Sequence, residues 1–211
     1  MHAFVVIRIF ALEINTQKYI IMKKLLSVLT MLLLSVSTFA QLTLKSDPAH
    51  SRIQFTVMHL GINDITGNLE KANLTINANE KNFVNSTVNF SADINSINTH
   101  IEARDNHLKS ADFFDAAKYP TLQFTSTSLK KVRNNYYTLK GNLTMHGITK
   151  PVTLTLVYRG STVNAMNKKT TYGYQVMGTL KRSDFKVGSN FPEAVISDLV
   201  RIKGDFELTS E

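Results

Sequence analysis

The residues of this chain that could perform chemistry do not form a known catalytic motif. Serine, histidine and aspartate are all present, yet there is no G-x-S-x-G turn, no H-E-x-x-H zinc motif and no glycine-rich phosphate loop. The absence of cysteine excludes a thiol nucleophile, a thiolate metal site and lipidation at a cysteine. His100 and His107 lie seven positions apart, whereas paired ligands on one helix are usually about four apart. The sequence predicts neither a catalytic site nor a metal site.

An aromatic stretch, "ARDNHLKSADFFDAAKYPTLQF", differs in pattern from the rest of the chain. Its apolar residues recur at a spacing of three, which is typical of a helix: Leu108, Ala111, Phe114 and Ala117. Asp112 is a plausible N-cap, and Pro120 ends the helix because proline disfavours helical geometry at the preceding residue. The stretch therefore predicts a short helical insert near residues 101–118, whose apolar side chains need cover.

Most other segments alternate apolar and polar residues, as strands with one buried face do. In "SRIQFTVMHL", for example, Ile53, Phe55 and Val57 alternate with polar side chains. About eight such strands, separated by Asn, Gly, Asp and Lys turns, predict an all-β antiparallel barrel or sandwich. A barrel of about eight strands is just wide enough to be filled by side chains or to hold one slender ligand.

The N-terminal region predicts export. Residues Met22–Ala40 contain two lysines, a short apolar run and a small-residue junction, which together indicate a signal peptide cleaved near Ala40. Translation is then expected to start at Met22, and residues 41–211 are expected to form one domain that is periplasmic or secreted. This domain carries 20 basic and 15 acidic residues, a net charge of +5. It shows no basic patch interleaved with exposed aromatic residues, so we expect no nucleic-acid partner.

Four segments resemble the YceI family of periplasmic polyisoprenoid-binding proteins: "DPAHSRIQFTVMHLG", "THIEARDNHLKSADFFDAAKYPTLQFTSTSL", "LKGNLTMHGITKPVTL" and "KRSDF". The resemblance runs from about Leu42 to Thr209, and its most specific block lies between Arg104 and Pro120. It implies an extended lipocalin-like antiparallel β-barrel that holds a long isoprenoid chain. The sequence departs from the family pattern at Leu69, where an aromatic residue is usual, and at Lys186, where glycine is usual.

The resemblance also implies a ligand and partners. The ligand would be a long-chain isoprenoid lipid or an isoprenoid quinone, with no other cofactor. Transient contact with a membrane or with a b561-type cytochrome is expected by analogy, and the protein would be a monomer or a homodimer.

The inward faces of the predicted strands and the insert supply the candidate ligand-binding residues. These are Phe55, Val57, His59, Leu108, Phe113, Phe114, Phe124, Leu139, Leu143, Leu154, Val176 and Phe206. Arg104, Asp105 and Asp184 are expected to have structural roles at the mouth of the pocket. Val200 is expected to pack away from the ligand.

Two other interpretations remain open from the sequence. The inward residues could fill a dry core, in which case the protein would be structural or stress-related. A lipid-directed hydrolase could use the same pocket, because a base and a nucleophile brought together only by folding would leave no motif.

Overall fold

The computed structural model describes residues 18–24, 41–79 and 82–210. The chain separates into two units, residues 1–39 and 40–211. In the first unit, residues 18–24 are helical, while the rest of the expected signal peptide, including its junction at Ala40, lies outside the described residues. Within the described ranges, no helix combines the length and apolar character needed to cross a bilayer.

The second unit is built almost entirely of antiparallel strands. Its elements are β1 (Gln41–Ser46), β2 (Arg52–His59), β3 (Asn63–Leu69), β4 (Ala72–Asn79), β5 (Asn82–Asp93), β6 (Ile97–Asn98), α1 (Glu102–Lys109), β7 (Thr121–Arg133), β8 (Tyr136–Met145), β9 (Ile148–Val163), β10 (Thr170–Lys181) and β11 (Leu199–Ser210). Short 3₁₀ helices lie at Pro48–His50, Ile94–Ser96 and Ser183–Phe185.

The strand segments close into an eight-stranded barrel. The order is β1-β4-β5-β7-β8-β9-β10-β11, and β11 pairs again with β1. One edge of β11 pairs first with β2 and then with β1, so β1 and β2 act as two halves of one bent strand. The segments β3 and β4, and likewise β5 and β6, form two further bent strands. The predicted all-β antiparallel barrel of about eight strands is confirmed.

Aspartate caps account for two of the bends. Asp47, between β1 and β2, accepts a hydrogen bond from the Ala49 N–H at 2.9 Å. Asp93, at the end of β5, accepts one from the Asn95 N–H at the same distance. Because a capping carboxylate satisfies N–H groups at the start of a helix, each aspartate favours a 3₁₀ turn over continued strand.

One end of the barrel is filled by side chains. The most deeply buried residues there are Leu44, Ile76, Leu129, Leu156, Tyr174 and Leu208. The Tyr174 ring packs edge-on against Phe83, with ring centroids 5.5 Å apart, and burial raises the pKa of its hydroxyl. Packed side chains therefore fill this end of the barrel, and the opposite end contains a cavity.

The helical insert is shorter than the sequence pattern predicts. Helix α1 covers Glu102–Lys109, and the residues that follow it form successive turns. Ala111 and Ala117 are exposed, whereas Phe113 and Ala116 are buried, so the apolar spacing of three does not mark one helical face. The proposed N-cap role of Asp112 is wrong, because no helix begins there. The left-handed backbone of Asp115, with φ of 48°, is incompatible with a continuing helix.

Candidate ligand-binding cavity

The cavity has a volume of about 420 Å³ and lies between the barrel wall, helix α1 and the loop from residue 182 to 198. Cavities of about 300–1,000 Å³ are typical of small-ligand sites. On β2, the side chains of Ile53, Phe55, Val57 and His59 all face it, as the alternation of a strand requires.

The twelve candidate binding residues all line this cavity. They come from β2, α1, the turns after α1, and strands β7 to β11: Phe55, Val57, His59, Leu108, Phe113, Phe114, Phe124, Leu139, Leu143, Leu154, Val176 and Phe206. The sequence pattern therefore located the wall of the cavity. That these side chains contact a ligand stays a prediction.

An aromatic cluster covers one side of the cavity. The rings of Phe113 and Phe191 are stacked, with centroids 4.7 Å apart. His107 of α1 meets both rings edge-on, at 5.0 Å from Phe113 and 5.7 Å from Phe191. Its Nε2 also lies 3.0 Å from the Asp112 carboxylate. The cluster joins the insert to the 182–198 loop. Phe113 therefore lines the cavity and also belongs to the aromatic contact that covers it.

Arg182 organises the same loop, from residue 182 to 198. It is only 8% exposed, and its guanidinium donates to five backbone carbonyl oxygens, those of Val187, Gly188, Phe191, Ile196 and Ser197. Because arginine has five N–H groups, every donor is satisfied. Arg182 therefore holds the loop in a closed turn around its guanidinium group.

Asp184 is exposed and does not line the cavity, whereas Arg182, two residues earlier, does. A structural role for Asp184 at the mouth stays a prediction. One expectation near this loop is corrected. Val200, expected to pack away from the ligand, lines the cavity. Val200 and Phe206 are separated by an even number of residues on β11, so both side chains point into the barrel.

A half-buried carboxylate at the end of the loop supports the same arrangement. Asp198 accepts hydrogen bonds from the Ser183 N–H at 2.9 Å and the Ser183 hydroxyl at 2.8 Å. Burial acts to raise the pKa of Asp198, but the two Ser183 hydrogen bonds and the nearby positive charge of Arg182 outweigh it, and the pKa is lowered. The ionised carboxylate therefore helps to hold the loop.

Arg104 and Asp105 are linked through Thr99. Asp105 Oδ1 accepts from the Thr99 N–H at 2.8 Å and from its hydroxyl at 2.5 Å. Arg104 donates from Nε to the Thr99 hydroxyl oxygen at 2.8 Å and from Nη2 to the Thr99 carbonyl at 2.9 Å. The two residues thus fasten α1 to the segment before it. Arg104 also lines the cavity, but Asp105 does not.

The two departures from the family pattern have visible consequences. Leu69 is buried and lines the cavity, so the smaller aliphatic side chain leaves space that an aromatic ring would occupy. Lys186 follows the 3₁₀ helix in a left-handed conformation, with φ of 55°. Glycine adopts that conformation without strain, and lysine does not.

Sequence reasoning missed several cavity residues, including Thr99, His107, Arg182, Phe191 and Ile196. Most lie in loops, where no periodicity predicts side-chain direction. No cluster of three or more potential metal ligands occurs among residues 18–24, 41–79 and 82–210.

A closed antiparallel barrel with an apolar cavity at one end defines a class of small-ligand-binding barrels. The chain belongs to the YceI family: the YceI-like domain matches residues 44–208. It is 34% identical over 155 residues to protein YceI of Salmonella arizonae, covering 74% of this chain and 80% of that protein.

Solved structures show the same fold. The YceI protein of Campylobacter jejuni has 29% sequence identity and a TM-score of 0.67, covering 73% of this chain and 90% of its own. A polyisoprenoid binding domain from Saccharophagus degradans, implicated in plant cell wall breakdown, has 16% identity and a TM-score of 0.62, covering 80% of this chain and 98% of its own.

Proposed function

We propose that the domain binds one long-chain isoprenoid lipid inside the barrel and carries or stores it outside the cytoplasm. The observation that carries this proposal is the cavity of about 420 Å³, whose wall consists mainly of aliphatic and aromatic side chains. Filling an apolar cavity of this size with water is unfavourable, whereas an extended hydrocarbon chain would fill it and bury apolar surface on both sides. The polyisoprenoid binding domain of similar fold supports the same ligand class.

The hydrophobic effect is sufficient to hold such a ligand. Burying each CH₂ group contributes about 0.8 kcal/mol, so ten buried carbons would contribute roughly 8 kcal/mol. Part of this is offset by ordering the chain and losing its translational freedom. Binding of this kind needs no catalytic group, and we therefore favour a carrier over an enzyme.

Mass spectrometry of an organic extract of the purified chain tests the proposal. We expect one intact isoprenoid lipid, and we expect Val176→Phe, which places a ring at the cavity wall, to carry less of it while remaining folded. A hydrolase would instead release cleaved product that accumulates with time. A structural protein would yield no lipid, even after incubation with a long isoprenoid alcohol, and that result would contradict the proposal.

We also propose that the mature protein begins at Gln41, in the periplasm or outside the cell. The apolar run of the signal peptide and the small residues before Ala40 support this. N-terminal sequencing of exported protein checks it, and a sequence starting at Met1 or Met22 would contradict it.

Transient membrane contact is the natural means of loading a water-insoluble lipid. The turn between β2 and β3 carries Leu60 and Ile62, of which Ile62 is 85% exposed. This turn adjoins the cavity wall, because the Leu60 N–H donates to the Val195 carbonyl at 2.9 Å and Val195 lines the cavity. We propose that this turn touches the bilayer. Contact with a b561-type cytochrome stays a prediction from the family resemblance.

A further inference from the structure

The wall of the cavity contains two arginines and two histidines. Arg104, Arg182, His59 and His107 line it, and among the described residues no aspartate or glutamate does so. Two of these side chains already have hydrogen-bond partners: His107 Nε2 lies 3.0 Å from the Asp112 carboxylate, and Arg182 donates all five N–H groups to backbone carbonyls. Arg104 differs from both.

Arg104 has unused hydrogen-bond donors. Its Nε and Nη2 each donate to Thr99, which accounts for two of the five N–H groups of an arginine. Neither Nη1 hydrogen has a partner in the part of the chain that the structure describes, and Arg104 forms no ion pair there. Asp105 does not neutralise it directly, because its Oδ1 accepts from Thr99. A fixed guanidinium with free donors therefore borders an apolar cavity.

The position of Arg104 suits contact with the end of a bound chain. Arg104, His107 and Leu108 share one face of α1, since residues three and four apart on a helix are neighbours. Leu108 is part of the apolar wall, so a hydrocarbon chain against Leu108 would end beside the guanidinium. The two hydrogen bonds to Thr99 hold the guanidinium in place before any ligand arrives, which lowers the entropic cost of binding.

We propose that Arg104 binds the phosphate headgroup of an isoprenyl phosphate, with Thr99 as the residue that positions it. The inference rests on the proposed function and names the headgroup class at the same site. A planar guanidinium can donate two parallel hydrogen bonds to a phosphate. A quinone carbonyl could accept a hydrogen bond but would leave the positive charge uncompensated, and an alcohol would contribute less still.

Three probes with the same hydrocarbon chain test this proposal: geranylgeranyl phosphate, geranylgeraniol and a neutral quinone with a geranylgeranyl tail. Binding to the lipid-stripped domain is measured below the critical micelle concentration of each probe. We expect the phosphate to bind at least about tenfold more tightly than the other two, the effect of one charge-assisted hydrogen bond. Arg104→Gln should remove this preference, so that the phosphate and geranylgeraniol bind the variant with similar affinity, and Arg104→Lys should restore part of it.

Geranylgeraniol binding also reports that each variant keeps a folded cavity. Lys109→Gln removes the same charge from the same helix without touching the cavity wall and should leave the preference unchanged. Excess inorganic phosphate should not displace the phosphate lipid; full displacement would show a site for free phosphate and overturn the proposal. Equal affinities for the three probes, or a preference that survives Arg104→Gln, would also overturn it while leaving lipid binding intact. If none of the probes binds, the proposed function itself is wrong.

Discussion

Phe55 of β2 and Gly67 of β3 are cross-strand partners, and the Phe55 ring lies directly over the Gly67 backbone. A Cβ atom at position 67 would overlap that ring and would lie 2.7 Å from Thr99 Cγ2. The missing side chain therefore lets Phe55 lie along the wall instead of projecting into the cavity. It also leaves room for Thr99, to which Arg104 is bound.

Gly67→Ala should narrow the cavity by displacing the Phe55 ring, and it should disturb the packing of Thr99. We expect a loss of about 1–3 kcal/mol in the free energy of unfolding, the usual cost of overpacking, together with less bound lipid per folded protein. Denaturant titration and lipid quantification measure the two effects. Gly173→Ala on β10 is the control, because its Cβ would lie 3.2 Å from Cβ of the exposed Arg159 and 3.9 Å from the Gly160 carbonyl oxygen, away from the cavity wall. Equal lipid occupancy in the two variants would contradict this account.

Phe113→Ala and Phe114→Ala should reduce bound lipid by more than their loss of stability explains. Each removes a side chain from the cavity wall, and a phenylalanine-to-alanine change in a core costs about 3–5 kcal/mol. Leu156→Ala is the matched control, since Leu156 is fully buried in the filled end and does not line the cavity. Lipid per folded protein is measured, with circular dichroism as the check on folding. Equal occupancy in all three folded variants would mean that the insert is only a structural plug.

Lys186→Gly should stabilise the protein by about 0.5–1 kcal/mol. The left-handed backbone at this position costs a non-glycine residue about 1–2 kcal/mol, part of which glycine loses again through greater freedom in the unfolded chain. Urea unfolding measures the difference. The same substitution at Lys140, an exposed position within β8, should instead destabilise by about 0.5–1 kcal/mol. A destabilised Lys186→Gly variant would show that the strain is absent.

Asp198 should make stability fall in acid. Its pKa is lowered in the folded state, against the opposing effect of burial, by the Ser183 hydrogen bonds and Arg182. A carboxyl group with a depressed pKa contributes stability that is present above its unfolded pKa of about 3.9 and is lost as the pH falls through the folded value. Wild type should therefore exceed Asp198→Asn in stability at pH 7, and the gap should close below about pH 4. A gap that stays constant down to pH 2, measured by urea unfolding, would exclude this contribution.

Ile62→Asp should slow lipid transfer between vesicles and the protein. A carboxylate on the β2–β3 turn would have to be desolvated on contact with the apolar part of a bilayer. Met166→Asp is the control, because Met166 is 94% exposed on the turn between β9 and β10, at the filled end of the barrel. Transfer of a fluorescent isoprenoid from neutral vesicles measures the rate. Equal slowing by both changes would argue against a specific contact through the β2–β3 turn.

The alternation of side chains along each strand was by itself enough to identify much of the cavity wall. A strand places alternate side chains on one face whatever its partners are, so Phe55, Phe124 and Val176 were predicted to point inward before any pairing was known. The proline after Tyr119 likewise marked the end of the insert. These features depend on local geometry, which a single sequence records directly.

This alternation does not determine whether an inward side chain lines the cavity or packs against another side chain. Phe206 lines the cavity, whereas Leu208, two residues later on the same face of β11, belongs to the filled end. Whether a position faces the cavity or the filled end depends on the register of distant strands and on the bend between β1 and β2. It also depends on the loop that Arg182 holds by hydrogen bonds to five carbonyl groups. Each of these brings together residues far apart in the chain, and their relative positions are determined by packing and long-range pairing rather than by local pattern.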